Sequence, residues 1–395
     1  MYEKYVPDGV EDCLPAECRI KKNIENSLRN EFMMSGYEEL ETPSYEFYDV
    51  FQSGVGSYMQ ESMIKFVDTK GRILVLRPDI TVPIARAAAT KLGIGVKRLF
   101  YIQNSFAAAA PSIGMSGEFT QAGIELIGDD RYQADAEVIA LAITALKTAG
   151  LKEFTIDIGQ VAFFKALISS LELGDEQTDR LRHAVDSKDC IAIECAAEQL
   201  GITGTLKTQI MELPRLFGGE EVFDKALALS DIPGCREAVE NLKNVYGLLS
   251  RLGLSEYISV DFGMLHDIAY YSGIIFRGLT PGIGFPVVSG GRYDELLQRF
   301  GSPAPATGFA LGIKRVMIAM ERQGLLKGGY GALTVVSCDM AACETASSYA
   351  ESLKSEGERT LFSSGLDKEE LLALKKQTGA VAAAYFDEFG SMESI

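Results

Sequence analysis

The feature that most constrains the fold of this chain is a series of short strand-like segments with few helices between them. These segments run over residues 73–78, 98–106, 118–127 and 154–158, and a helical pattern separates only the last pair. A parallel sheet needs a crossover, usually a helix, between successive strands. The order of segments therefore predicts an α+β fold in which an antiparallel sheet is flanked by helices.

The chain changes character twice along its length. Residues from about 164 to 255 carry charged helical stretches with little strand signal, which predicts a helical insertion. Strand-like sequence then resumes over residues 258–262 and 270–276, and beyond the glycine cluster at 328–331 strands and helices alternate to the last residue. We expect a core over residues 1–325, interrupted by the insertion, and a small βαβαβ domain over residues 331–395.

Composition excludes several classes of protein. Hydrophobic residues make up 47% of the 395 residues and charged residues 24%, as in globular proteins. No apolar run reaches the ~18 residues of a membrane span, and the first residues lack the pattern of a secretory signal. We therefore expect a cytoplasmic protein with no membrane partner. The net charge of −17 repels phosphate backbones, so we expect no nucleic-acid partner either.

Chemistry based on cysteine or histidine has little support. The seven cysteines include no C-x-x-C pair, which predicts free thiols and no zinc knuckle. The two histidines, His183 and His266, are too few for a histidine-rich metal site, and His183 is expected on the surface of a charged helix. Neither a Walker A sequence nor G-x-G-x-x-G occurs. We expect no metal and no cofactor.

Six motifs occur in an order that resembles the catalytic core of class II aminoacyl-tRNA synthetases, specifically those of the histidyl type. They lie at 36–46, 76–81, 119–125, 270–273, 290–294 and 308–315. One such motif alone is weak, whereas six in order over most of the chain are specific. The resemblance implies a class II synthetase-like antiparallel sheet.

One predicted strand carries a candidate ligand pocket. Side chains alternate along a strand, so Gln121 and Glu125 project on one face with only the hydrogen of Gly123 between them. This spacing predicts a recess with a carboxylate at its base. The resemblance places a histidine-binding pocket at Asp79, Thr81, Gln121, Glu125, Tyr270 and Tyr271. Such carboxylates and phenols suit a small cationic ligand that donates hydrogen bonds.

Each of these features also has a plain structural interpretation. Gln121 and Glu125 suit the exposed face of an amphipathic strand, and the two tyrosines suit ordinary strand packing. The motif at 290–294 suits a tight turn. Single features favour these interpretations, whereas their combination in the family's order favours a ligand site.

The segment over residues 107–117 differs most from the synthetases. It contains no charged residue. The resemblance places the arginines and the glutamate that hold ATP at Ala107, Ala109, Ala110, Met115 and Gly117. Because adenylyl transfer depends on cations positioned around the phosphates, we expect no synthetase activity.

Three further positions bear on catalysis. The arginine that helps to activate the histidine carboxylate in the synthetases corresponds to His266, and a nearby aspartate corresponds to Ala269. Arg315 matches the arginine of the third class II motif, so one ATP-facing cation is kept. Its alternative is an arginine at a helix start, paired with a nearby carboxylate.

The chain lacks the ATP-binding residues of the synthetases but keeps the residues of the histidine pocket. In this combination it resembles the family of ATP phosphoribosyltransferase regulatory subunits. That resemblance implies a non-catalytic protein, a short-form catalytic subunit as partner and a response to L-histidine. It also implies at least a homodimer, formed near residues 36–46. Residues 331–395 hold 11 acidic against 5 basic residues, which does not suit RNA. An active histidyl-tRNA synthetase and a free-standing histidine-sensing adaptor are the alternatives.

Overall fold

A computed structural model describes residues 4–52, 62–108, 117–265, 270–326 and 332–395. They fall into two compact units, Met1–Leu326 and Lys327–Ile395. The helices among the described residues are α1 (Pro15–Met34), α2 (Asp49–Gln52), α3 (Thr81–Lys91), α4 (Tyr132–Thr148), α5 (Val161–Leu167), α6 (Asp175–Asp186), α7 (Cys190–Gln199), α8 (Gly204–Glu212), α9 (Glu221–Leu229), α10 (Pro233–Arg251), α11 (Ile313–Arg322), α12 (Cys343–Ser355) and α13 (Lys368–Thr378).

The strands among the same residues are β1 (Glu38–Glu39), β2 (Tyr45–Phe47), β3 (Lys65–Val67), β4 (Ile73–Leu76), β5 (Lys97–Phe106), β6 (Glu118–Ile127), β7 (Thr155–Gln160), β8 (Phe217–Gly218), β9 (Ile258–Asp261), β10 (Ile274–Leu279), β11 (Val288–Arg292), β12 (Ala306–Gly312), β13 (Leu333–Cys338), β14 (Arg359–Phe362), β15 (Ala382–Phe386) and β16 (Met392–Ser394).

A large sheet forms the centre of the first unit. Its order in the described residues is β1-β5-β6-β12-β11-β10-β7-β9-β8. Neighbours are antiparallel except β1 with β5 and β7 with β9. The prediction of an antiparallel sheet flanked by helices is confirmed.

The pleat of β6 separates two hydrophobic clusters. Ala122, Ile124 and Leu126 point to one face, where they join the cluster that contains residues of α1 and α4. Ile127 points to the other face and joins a second cluster, to which α3 contributes Ile84. The odd-numbered residues of β6 therefore face the region that holds the candidate site.

Helix α3 was not predicted from the sequence. It begins directly after the motif at 76–81, and its alanine-rich stretch from Ala85 to Ala89 has strong helix propensity. A small sheet in the order β2-β4-β3 lies next to it in sequence and contributes Val75 to the same second cluster.

The segment predicted as a helical insertion is continuous with the main core. Helices α6 to α10 fill it, and Leu242, Val245 and Leu249 of α10 belong to the same cluster as the central strands. The segment also contains β8, which pairs with β9 at the edge of the large sheet. Strand β8 has only two residues, which explains why little strand signal is visible in this segment.

The second unit has the sheet order β14-β13-β15-β16. Strand β13 is parallel to β14 and β15, and helices α12 and α13 connect them. Helix α13 begins with a capping box in which Asp367 and Glu370 accept hydrogen bonds from each other's backbone N–H. Strand β16 is a short antiparallel addition that the βαβαβ pattern does not include.

One prediction and one alternative interpretation near the site differ from the structure. Tyr270 and Tyr271 were predicted in a strand, but β10 begins only at Ile274. The motif at 290–294, for which a tight turn was the alternative, continues β11 as far as Arg292. No helix in the described parts of the chain has the length and apolarity needed to cross a membrane.

Candidate functional site

A cavity of about 230 Å³ lies on the face of β6 that carries the odd-numbered side chains. Its walls come from β6, β12, the segments that precede β10 and β11, and the residues that begin α3 and α11. The structure brings all six predicted site residues around this cavity, namely Asp79, Thr81, Gln121, Glu125, Tyr270 and Tyr271.

Glu125 lies at the base of the cavity and is 1% exposed. Its Oε1 accepts a hydrogen bond of 2.7 Å from the Thr81 hydroxyl, and its Oε2 accepts one from the Tyr293 hydroxyl. Burial, together with a smaller contribution from the nearby Asp79, nevertheless raises the pKa of Glu125 to about 8. Glu125 is therefore mostly protonated at neutral pH in the empty cavity, and a bound cation would favour its ionised form.

Asp79 is the second carboxyl of the cavity and is half-buried. Its Oδ1 accepts a hydrogen bond of 2.7 Å from the backbone N–H of Val82, in the first turn of α3, and its Oδ2 accepts one of 3.4 Å from the Tyr270 hydroxyl. Burial raises the pKa of Asp79 to about 6 in spite of these bonds. Two carboxyls in one desolvated recess make the site receptive to a cation.

Gln121 faces the cavity from the same strand as Glu125. The space over Gly123, between these two side chains, was predicted to be open, but a tyrosine ring occupies it. Tyr101 lies opposite Gly123 in the β5–β6 ladder, and a Cβ on Gly123 would collide with the Tyr101 phenol and the Phe309 carbonyl. The recess is therefore closed by the Tyr101 ring. A cross-strand neighbour fills the space that a glycine leaves.

Aromatic rings form one side of the cavity. The ring centroid of Tyr270 lies 5.3 Å from that of Tyr271 and 5.8 Å from that of Tyr293, with edge-on geometry in both pairs. Burial raises the pKa of each of these three phenols, so they remain protonated and keep their capacity to donate hydrogen bonds.

The sequence did not assign Tyr293 or Tyr101 to the site. Tyr293 stands in the motif at 290–294, which was recognised but given no role. Tyr101 lies next to Gly123 because of the register between β5 and β6. The single glycine of β6 was the sequence signal for such a close neighbour.

Arg315 lines the same cavity from the first turn of α11. Its Nη1 donates a hydrogen bond of 3.0 Å to the Pro286 carbonyl, and its guanidinium carbon lies 5.4 Å from the centroid of the Phe285 ring. Burial lowers the pKa of Arg315. The alternative of a carboxylate partner for Arg315 is wrong for the described parts of the chain, where no ion pair includes it.

Several positions named from the sequence lie outside the described residues, namely Ala109, Ala110, Met115, His266 and Ala269. At the base of the charge-free segment, the Ala107 N–H donates a hydrogen bond of 2.9 Å to the Gly117 carbonyl. His183 is exposed on α6, as predicted.

The fold and the cavity define a protein of the class II histidyl-tRNA synthetase type. The family model for histidyl-tRNA synthetase matches residues 9–316. A crystal structure described as an ATP phosphoribosyltransferase regulatory subunit/histidyl-tRNA synthetase from Bacillus halodurans is similar, with a TM-score of 0.83 and 32% identity. The match covers 98% of each chain.

Curated relatives narrow this class. A regulatory subunit of ATP phosphoribosyltransferase from Acetivibrio thermocellus is 49% identical over 81% of this chain and 77% of its own. One from Ruminiclostridium cellulolyticum is 42% identical over 95% of this chain and 91% of its own. The chain belongs to the family of ATP phosphoribosyltransferase regulatory subunits, the non-catalytic paralogues of histidyl-tRNA synthetase. This confirms the resemblance and the regulatory role predicted from the sequence.

Proposed function

We propose that this regulatory subunit binds L-histidine in the cavity around Glu125 and carries the feedback response of ATP phosphoribosyltransferase. The reaction itself then belongs to a separate short-form catalytic subunit. The observation that supports the proposal is the pairing of two carboxyls, the buried Glu125 and the half-buried Asp79, in one small cavity edged by tyrosines.

The electrostatics of the cavity favour a cationic ligand. Ionising a buried carboxyl is costly, and the raised pKa values of Asp79 and Glu125 express that cost. A ligand ammonium or imidazolium offsets it through charge-assisted hydrogen bonds worth about 1.5–3 kcal/mol each. Gln121 and the protonated tyrosines supply neutral hydrogen-bonding groups that orient such a ligand.

The size of the cavity favours an amino acid over a nucleotide. Its volume of about 230 Å³ lies below the roughly 300–1,000 Å³ of sites that hold drug-sized ligands. Histidine combines a small size with an ammonium group and an imidazole ring, both of which suit the carboxyls and phenols here.

Titration calorimetry with L-histidine tests this proposal. Glu125→Gln should weaken binding roughly ten- to a hundredfold, because it removes one charge-assisted partner. Glu118→Gln is the matched control: it makes the same change on β6, but at an even-numbered position on the opposite face. Equal affinities for the wild type and Glu125→Gln would contradict the proposal, provided that both proteins melt at similar temperatures.

We also propose that the subunit forms at least a homodimer near residues 36–46. Apolar side chains are exposed next to this segment, including Tyr45 and Phe47 of β2 and Ile73 of β4. Soluble monomers rarely expose contiguous apolar patches of this kind. Light scattering should give twice the chain mass or more, and a monomer at every concentration would contradict it.

The absence of a nucleic-acid partner is likewise our proposal. The acidic balance of residues 331–395 repels a phosphate backbone. In fluorescence anisotropy, labelled tRNA should show no saturable binding at moderate salt. Saturable binding that weakens as salt increases would contradict this.

A further inference from the structure

We propose that Arg315 binds the carboxylate of the amino acid whose cationic groups face Glu125, so that the cavity recognises a zwitterion by one charge at each end. This inference rests on the proposed function, since it assigns a role to the end of the same cavity that lies opposite the carboxyls.

The path of the chain directs Arg315 into the cavity. Arg315 follows β12 by three residues, and a Cβ on Gly312 would lie 3.1 Å from its Cδ. The glycine therefore leaves room for the arginine side chain to fold back along the end of β12. Both Gly312 and Arg315 line the cavity.

The hydrogen-bonding capacity of Arg315 is incompletely used. Its guanidinium has five N–H donors, and in the described residues the one bond that it forms is to the Pro286 carbonyl. The Phe285 ring lies nearby and compensates the charge only in part. A partly desolvated guanidinium that has no carboxylate partner among the described residues is suited to bind an anion in a two-pronged geometry.

The register of the large sheet sets the distance between the two ends. Glu125 lies opposite Gly308, and Gln121 lies opposite Gly312. These two positions are four residues apart on a strand, or about 13 Å between Cα atoms at the usual rise per residue. The side chains of Glu125 and Arg315 both line the cavity at these two positions.

The cavity between these ends contains groups that fit the middle of such a ligand. Gln121 lines the cavity, and its Oε1 accepts a hydrogen bond of 2.9 Å from the Ser105 hydroxyl, a bond that does not use its NH₂ group. Phe119, two residues earlier on the same face, supplies an apolar wall. A zwitterion with a planar side chain would therefore contact charged groups, the Gln121 amide and the apolar Phe119 ring in the same cavity.

Titration calorimetry with two ligands and three variants tests the inference. L-Histidine carries the carboxylate, and histamine is the same molecule without it. The wild type should bind histidine roughly ten- to a hundredfold more tightly than histamine, the range of one charge-assisted interaction. Arg315→Met should lower the affinity for histidine to that for histamine and leave histamine binding unchanged, while Arg315→Lys should keep part of the preference.

The third variant, Glu125→Gln, separates this inference from the proposed function, because it should weaken both ligands. If Glu125→Gln weakens histidine binding but Arg315→Met does not, only the role of Arg315 is wrong. Equal binding of histidine and histamine by the wild type would overturn that role as well. If the wild type binds neither ligand, the proposed function itself fails.

Discussion

Strands β5 and β6 differ sharply from the segment that joins them. The strands hold Gln121 and Glu125 in a buried cavity with fixed hydrogen-bond partners, whereas residues 107–117 carry no charge. A few buried groups suffice to bind a small cation, but adenylyl transfer needs several cations that act as a unit. Within one hairpin, the groups proposed for ligand recognition are therefore separate from the segment whose counterparts in the synthetases serve catalysis.

The largest expected effect concerns the joining segment. Histidine-dependent ATP–pyrophosphate exchange should stay at the buffer background, roughly a thousandfold or more below an active synthetase, because even one lost donor costs about 10²–10³ in rate. Ala107→Arg should remain inactive, since one cation does not restore a group that acts together. Exchange above background in the wild type would contradict the claim that the segment over residues 107–117 has lost its catalytic role.

A substitution in β6 tests how the recess is closed. Gly123→Ala places a methyl group against the Tyr101 phenol and the Phe309 carbonyl, so the free energy of unfolding should fall by about 1–3 kcal/mol. Histidine binding should be lost as Tyr101 is displaced. Gly247→Ala in α10 is the control, because a methyl group there meets open space and should stabilise the helix by about 0.5–1 kcal/mol. Urea unfolding measures both, and an unchanged Gly123→Ala protein would disprove the contact.

The pH dependence of binding tests the charge state of Glu125. Its pKa of about 8 means that the empty cavity holds a proton below pH 8, and a cationic ligand must displace it. For a ligand group that stays cationic over this range, such as an ammonium, affinity should therefore rise with pH between about 6 and 8, by at most about tenfold per unit, and then level off. Calorimetry in buffers of different ionisation enthalpy should detect proton release in the wild type and not in Glu125→Gln. Binding that is independent of pH, with no proton release, would argue against an ionised Glu125 in the complex.

The smallest expected effect concerns Tyr293. Tyr293→Phe removes one hydrogen bond to Glu125, which should weaken histidine binding by about 0.5–1.5 kcal/mol. Because that bond lowers the pKa of Glu125, the pH at which affinity levels off should move upward. Tyr385→Phe removes a phenol bond to Asp339 in the second unit and should leave histidine binding unchanged. Indistinguishable curves for both variants would remove Tyr293 from the site.

Sequence reasoning succeeded where one segment determines its own structure. The alternation over residues 118–127 predicted the limits and the two faces of β6, since side-chain direction in a strand follows from position alone. It failed for Tyr270 and Tyr271, whose aromatic character suggested a strand although they precede β10. Contacts between segments, such as Tyr101 over Gly123, depend on register and were not accessible.

The charged partner of Arg315 was also not predictable from the sequence. Its position at a helix start was predictable, but whether a carboxylate lies beside it depends on which segments pack around α11. Helix α3 was missed because its helical run is short, although Asp79 at its start accepts a bond from the Val82 N–H.

The most direct test of the central claim uses the reconstituted complex. The short-form catalytic subunit is assayed with the wild-type regulatory subunit and with Glu125→Gln, over a range of histidine concentrations. If histidine acts through this cavity, the uninhibited rates should match and half-inhibition should shift roughly ten- to a hundredfold higher for Glu125→Gln, since affinity and response are linked. Identical inhibition curves would contradict the claim and place the regulatory site outside the cavity.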